Sequence, residues 1–142
     1  MLGAILVKRA ARQAFGVINS RDADKSVAGL SDNAVMDYPG TSALSGVYQG
    51  KDTIHQRMIK WFEMKDHVDF ELRHVAVENI GSLSASNNVI IEWTQSTTSE
   101  SGEPMTMDGV TRLTVKGGKV VELRDYLYDP AQATECYGPG SN

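Results

Sequence analysis

The residue whose surroundings most call for a chemical explanation is Asp125. Val121, Leu123, Asp125 and Leu127 alternate with Glu122, Arg124, Tyr126 and Tyr128, so in a strand the first four share one face. A carboxylate in an otherwise apolar row is costly unless it is paired, and unpaired it holds its proton to higher pH. Asp125 therefore either pairs with a core hydroxyl or arginine, or stands in a pocket wall poised for proton transfer. Asp37, in Met36-Asp37-Tyr38-Pro39-Gly40, is the second candidate. It either caps backbone amides of the turn or serves as a general base.

Other reactive side chains offer less. His74 shares parity with Val68, Phe70 and Leu72, which predicts a core-facing histidine, whereas His55 and His67 flank a helix and read as solvated. Three scattered histidines and the single cysteine, Cys136, give neither a metal site nor an intrachain disulfide. Cys136 lies in a Gly- and Pro-rich tail and reads as inert. No phosphate-binding glycine loop, Ser-His-Asp order or thiol dyad is present, so no cofactor is predicted.

The composition bounds the function. With 41% hydrophobic and 23% charged residues over 142 positions, the chain can bury one sizeable core. A formal net charge of −4 argues against a nucleic-acid partner, which requires a basic stripe. No apolar run is long enough to span a membrane, and Leu2–Val7 is too short for a signal-peptide core. A cytoplasmic protein is the expectation.

The elements that must position the two aspartates follow from periodicity. Val7, Ala11, Ala14, Phe15 and Ile18 form the apolar stripe of a first helix. Asn19-Ser20-Arg21-Asp22 breaks it and supplies an N-cap for a short second helix through Val27 and Leu30, ended by Ser31-Asp32-Asn33. Residues 34–38 read as a strand, and a polar loop runs from there to Gly50. A third helix over residues 52–64 carries Ile54, Met58, Trp61, Phe62 and Lys65 on one side. From Val68 the period becomes two, with strands over 68–77, 89–98, 105–115 and 119–128 separated by Asn87-Asn88, residues 99–104 and Gly117-Gly118. Helices first and antiparallel strands afterwards make an α+β fold. Residues 130–142 read as a loosely ordered tail on one domain spanning 1–142.

This order, with four local phrases, resembles the nuclear transport factor 2-like superfamily and its SnoaL-like branch. The phrases are residues 19–35 (turn, short helix and start of the first strand), Met36-Asp37-Tyr38-Pro39-Gly40, Gly50-Lys51-Asp52-Thr53-Ile54, and the final hairpin Gly117-Gly118-Lys119-Val120-Val121-Glu122-Leu123-Arg124-Asp125-Tyr126. The resemblance implies a cone-shaped domain in which a curved antiparallel sheet wraps the N-terminal helices around an apolar pocket. It also implies homodimers through the outer sheet face, here Val110, Arg112, Glu122, Arg124, Tyr126 and Tyr128. Limonene-type epoxide hydrolases of this fold place a catalytic aspartate at the position of Asp125, and the steroid isomerase branch keeps its base near that of Asp37.

The departures matter as much. Trp93-Thr94-Gln95 occupies the place of the hydrolases' Arg-x-Asp pair. Ala14 and Gly109 stand where the isomerases have their oxyanion-hole tyrosine and aspartic acid, so neither activity carries over intact. What remains is Asp37 and Asp125 around a pocket expected to be lined by Met58, Trp61, Trp93, Met107, Leu123 and Leu127, with Tyr38, Gln95 and Thr111 as directional polar groups. SnoaL-type cyclases work with one aspartate as acid/base on a bulky apolar substrate, a requirement this chain can meet. Two functions stay open: a cofactor-free acid/base enzyme (isomerase, cyclase or hydrolase) on a small hydrophobic molecule, or a non-catalytic module that binds an apolar ligand or oligomerises. Aspartates on one cavity with raised pKa values favour the first, and aspartates that lie apart in ion pairs favour the second.

Overall fold

The computed structural model describes residues 2–79 and 86–141. Its elements run α1 (Leu2–Asn19), α2 (Ala23–Val27), β1 (Leu30–Tyr38), β2 (Gly46–Gln49), α3 (Lys51–Met64), β3 (Asp69–Val77), β4 (Asn87–Thr98), β5 (Pro104–Lys116), β6 (Lys119–Leu127) and α4 (Pro130–Tyr137). The strands form one curved, unclosed sheet in the order β2-β1-β6-β5-β4-β3. All neighbours are antiparallel except β1 and β6, which run parallel. Helices α1 and α3 lie against β3 and β1, and the core forms between them and the concave face.

The phrase Asn19-Ser20-Arg21-Asp22 works by tying these layers. The Asn19 side chain accepts from Phe70 N at 2.8 Å and donates to Phe70 O at 3.2 Å, joining the end of α1 to β3. Arg21 donates to the carbonyls of Asp66 and Phe62 at the end of α3, and Asp22 caps α2 by accepting from Lys25 N at 2.9 Å. At the β5–β6 turn Gly117 and Gly118 take φ of 55° and 76°, the left-handed pair that a two-residue hairpin demands and glycine supplies without steric cost.

Four expectations are corrected. Leu30 does not belong to α2, because β1 already begins there, buried against the core. The polar loop before Gly50 contains an edge strand, β2, paired with β1 and too polar and short to show a period. Asn87-Asn88 is not a turn but the start of β4.

The fourth concerns the tail, which forms α4. Asp129 accepts from Ala131 N at 3.1 Å, Pro130 fits the first turn, and Ala133, Cys136 and Tyr137 are buried. Beyond it, Gly140 N donates to Thr41 O at 2.7 Å. Asn142 lies outside the described residues.

Candidate active site

The side chains of the concave face converge on a cavity of about 490 Å³. Phe70 is its hub, meeting Phe15, Trp61 and Trp93 edge-on at centroid distances of 5.3, 5.9 and 5.1 Å. Tyr38, Met58, Trp61, Trp93, Gln95, Thr111, Leu123 and Asp125 all line it. Met107 does not: it is 1% exposed and fills the core. Leu127 packs on the core and borders a smaller recess of about 230 Å³.

Asp125 reaches the cavity through the parity of β6. Leu123 pairs with Leu113 and Asp125 with Thr111, so residues 123 and 125 face the helices. The Thr111 hydroxyl donates to Asp125 Oδ1, and its oxygen accepts from Trp93 Nε1 at 2.9 Å. Burial removes the carboxylate from water and raises its pKa from 3.8 to about 6, against the opposing pull of the Thr111 hydrogen bond and the Arg57 charge. Asp125 is only half-buried by accessible surface because it opens onto the cavity, which is the desolvating environment.

Asp37 does not join it there. On β1 Met36 and Tyr38 point inward, so Asp37 points outward and its carboxylate meets Arg124 Nε at 3.4 Å. It borders only the smaller recess, which Asp125 also touches, and its charge adds a minor upward push on Asp125. The apolar cavity thus holds one of the two aspartates.

The structure also overturns the placement of His74. The β3–β4 register shifts between Leu72 and His74, a bulge that turns every following side chain over. Val75 and Val77 then face the core, while His74 has an 82% exposed side chain and contacts Glu92 at 2.5 Å. His55 pairs with Asp24 at 2.7 Å. The Cys136 thiol is buried, which pushes its pKa up and keeps it protonated. Among the described residues no group of three His, Cys, Asp or Glu could hold a metal, and no described helix is long and apolar enough to cross a membrane.

Two cavity-lining residues escape the sequence reading. Arg57 is 4% exposed on α3 and lies over the rings of Tyr38 and Trp61 at 4.8 and 5.1 Å. It sits three residues after Ile54 and four before Trp61, a charge inside an apolar stripe, which is the anomaly that marked Asp125. Tyr137 of α4 lines the cavity, and its hydroxyl accepts from Trp61 Nε1 at 3.1 Å and Gln95 Nε2 at 2.8 Å. The Asp129-Pro130 start and Gly138 stop of that helix were readable signals. Gly109, in the place of the isomerase aspartic acid, is filled by Trp93: an added Cβ would lie 2.6 Å from its ring.

A curved sheet wrapped on two long helices around an apolar cavity is the architecture of nuclear transport factor 2-like proteins. The family model described as SnoaL-like domain matches residues 11–123, so the chain belongs to that family. No curated protein matches the sequence. The chain is similar in structure to Bal32a from a soil-derived mobile gene cassette, with 20% identity, TM-score 0.79, and 95% of this chain and 98% of that one covered. A nuclear transport factor 2-like protein of unknown function from Burkholderia pseudomallei K96243 matches at 17% identity, TM-score 0.75 and coverage of 91% and 95%. TerC, co-crystallised with polyporic acid, matches at 19% identity, TM-score 0.73 and coverage of 90% and 95%. At these identities the likeness is one of fold.

Proposed function

We propose that the protein is a cofactor-free acid/base enzyme that uses Asp125 alone to move a proton on a small, largely apolar molecule held in the cavity. The observation that carries this reading is a carboxylate with a pKa of about 6 on the wall of an apolar cavity of about 490 Å³. A base is most effective when its pKa lies near the working pH, and general acid/base catalysis supplies about 10²–10⁴-fold in rate. Near neutrality Asp125 is mostly ionised and accepts a proton. The Thr111 hydroxyl keeps one oxygen oriented while the other is left for substrate. The surrounding aromatic wall lowers the local dielectric, which strengthens each of these contacts.

The second reading, a module that binds an apolar ligand without turning it over, is favoured by the Asp37–Arg124 ion pair, which removes one of the two aspartates from service. Proton exchange separates the two. Two-ring ketones and dicarbonyls incubated with the protein in heavy water would exchange hydrogens next to the carbonyl, followed by NMR. We expect exchange on at least one of them and a loss of about 10²-fold or more in Asp125→Asn. Exchange that is undiminished in Asp125→Asn sinks the enzyme reading. So does binding with no exchange anywhere in the series, which leaves the binding module.

A further inference from the structure

Arg57 is 4% exposed and lines the cavity. A guanidinium has two flat faces and five N–H donors around its edge. The guanidinium carbon lies over the rings of Tyr38 and Trp61, which balance part of its charge through their ring quadrupoles. Its N–H donors are almost without acceptors. Among the described residues Nη1 reaches only the Met58 sulfur at 3.9 Å, and the buried Nε has no partner. None of the described ion pairs includes Arg57, and Asp125 feels its charge only through space. A buried donor left unmade is costly, and an arginine cannot escape by losing its proton.

A further donor lies in the same cluster, since Tyr137 bonds the Trp61 side chain that Arg57 covers. The Tyr137 hydroxyl already accepts from Trp61 and Gln95, so both lone pairs are engaged and its own proton is left to give, either to the neighbouring Tyr38 oxygen or to a ligand. Burial holds the phenols of Tyr137 and Tyr38 protonated, and both border the cavity. Around Arg57 and Tyr137 the site is thus rich in donors, and among the described residues its one open carboxylate oxygen is that of Asp125.

We infer that the ligand is a small apolar molecule bearing one planar, delocalised oxyanion, which lies edge-on against Arg57 and receives a further hydrogen bond from Tyr137. The chemistry is that of a carboxylate or of the enolate of an acidic hydroxy-enone. A neutral carbonyl would accept from the guanidinium edge but would bring no counter-charge, and hydrogen bonds between charged partners are the stronger ones. A phosphate, with a charge of about −1.5 to −2 near neutral pH, would exceed what one buried guanidinium balances. The inference rests on reading the cavity as the site of Asp125 and names its substrate class.

Titration of the protein with matched two-ring probes at about pH 8, where both acids are ionised, tests it. Naphthoate is paired with naphthamide, and hydroxynaphthoquinone with methoxynaphthoquinone, with the quenching of Trp61 and Trp93 as readout. We expect one acid to bind about tenfold or more tightly than its neutral partner, as a charge-assisted pair requires. The pair that responds tells carboxylate from enolate. Arg57→Gln removes that preference and leaves the neutral probe within about threefold, whereas Arg57→Lys, which keeps the charge without the fork, restores only part of it.

Equal binding of acid and neutral probes by the unaltered protein overturns the inference, whether or not Arg57→Gln folds. Equal weakening of both by Arg57→Gln overturns it too, since that is a packing role. The proton-exchange measurement fails independently: acid preference without exchange retires Asp125 as the base, and exchange without acid preference retires Arg57 as the anchor.

Discussion

Thr111 stands directly across the β5–β6 ladder from Asp125, and its hydroxyl donates to the carboxylate while accepting from the Trp93 indole. The aspartate of the apolar row is therefore satisfied at one oxygen and desolvated at the other. The consequence for stability can be signed. The folded pKa is raised above the unfolded value, so the fold binds the extra proton. That contribution is complete below about pH 4 and is lost as the pH rises through about 6. The rise from 3.8 to about 6 corresponds to at most about 3 kcal/mol. Asp125→Asn keeps an oxygen for Thr111 and carries no charge. We expect it to match the parent at pH 4 and to exceed it by about 1–3 kcal/mol at pH 8. Melting curves at the two pH values check this, and a variant less stable than its parent at pH 8 would mean that Asp125 is held by a partner that the asparagine abandons.

Thr111→Val tests the same link from the other side. It removes the hydrogen bond that favours the charged carboxylate, so the Asp125 pKa should rise above its present value, and the acidic limb of any pH–rate profile should move up with it. It also strands the buried Trp93 indole N–H, at a cost of about 1–3 kcal/mol. Carboxyl titration followed by NMR reads the first effect and chemical denaturation the second. An unmoved pKa contradicts the proposed role of Thr111.

Gly109 should be intolerant of even one methyl group. A Cβ there meets the Trp93 ring at 2.6 Å and the Tyr126 carbonyl oxygen at 2.9 Å, and the carbonyl belongs to backbone that cannot yield easily. Gly109→Ala is expected to cost about 1–3 kcal/mol, the usual range for overpacking, and to push the Trp93 indole toward the cavity. Denaturation midpoints and a shifted Trp93 fluorescence maximum are the measurements. Unchanged values for both would contradict this packing.

The parts of the molecule that were legible in the sequence are those where one period rules. The β6 row placed Asp125 among apolar neighbours because alternation holds from Leu123 to Leu127. A bulge at Val121 breaks it earlier, so that Val120 and not Val121 shares the cavity face. Alternation failed at His74 because a bulge at Leu72/His74 changes parity with no glycine or proline to mark it. The expectation that Asp37 joins Asp125 around the apolar pocket failed for a simpler reason: Met36 and Tyr38, its flanking neighbours, are the buried pair, so Asp37 must face away. Arg57 was hidden by charge itself, since periodicity counts apolar residues and passes over a cation in the same stripe. Tyr137 was hidden by composition, because a tail rich in glycine and proline masks about two turns of helix that are pinned from outside by the Gly140–Thr41 hydrogen bond.

The outer sheet face gives a further prediction. Tyr126 and Tyr128 are 44% and 64% exposed there, beside the Arg112–Glu122 and Arg124–Asp37 ion pairs. Tyrosine and arginine are favoured at interface centres, and a two-fold axis would bring the patch against itself. A homodimer in sedimentation at micromolar concentration is the expected result, with Tyr126→Glu shifting it toward monomer. A monomer at that concentration in the parent protein refutes the dimer.

The last prediction concerns Tyr137, because its hydroxyl joins the helix that ends the chain to the centre of the cavity. Removing that oxygen in Tyr137→Phe changes the volume hardly at all, so no sizeable cavity is created and the cation–ring contact with Lys65, at 5.7 Å, is kept. What changes is that Trp61 Nε1 and Gln95 Nε2, both on buried side chains, lose their acceptor together. Each stranded donor costs about 1–3 kcal/mol unless the other can turn to meet it. The Gln95 amide can rotate but the Trp61 indole is fixed between Phe62 and Phe70. The net loss should therefore lie nearer to one such cost than two, about 2 kcal/mol, or a fall in Tm of roughly 4–8 °C for a chain of this size. Affinity for the acidic two-ring probe should fall in the same variant by about threefold to tenfold, since one donor to the oxyanion is gone while Arg57 remains. Calorimetry of the free protein and titration with the probe measure the two effects separately. A Tm within about 1 °C of the parent would show that neither Trp61 nor Gln95 depends on this hydroxyl.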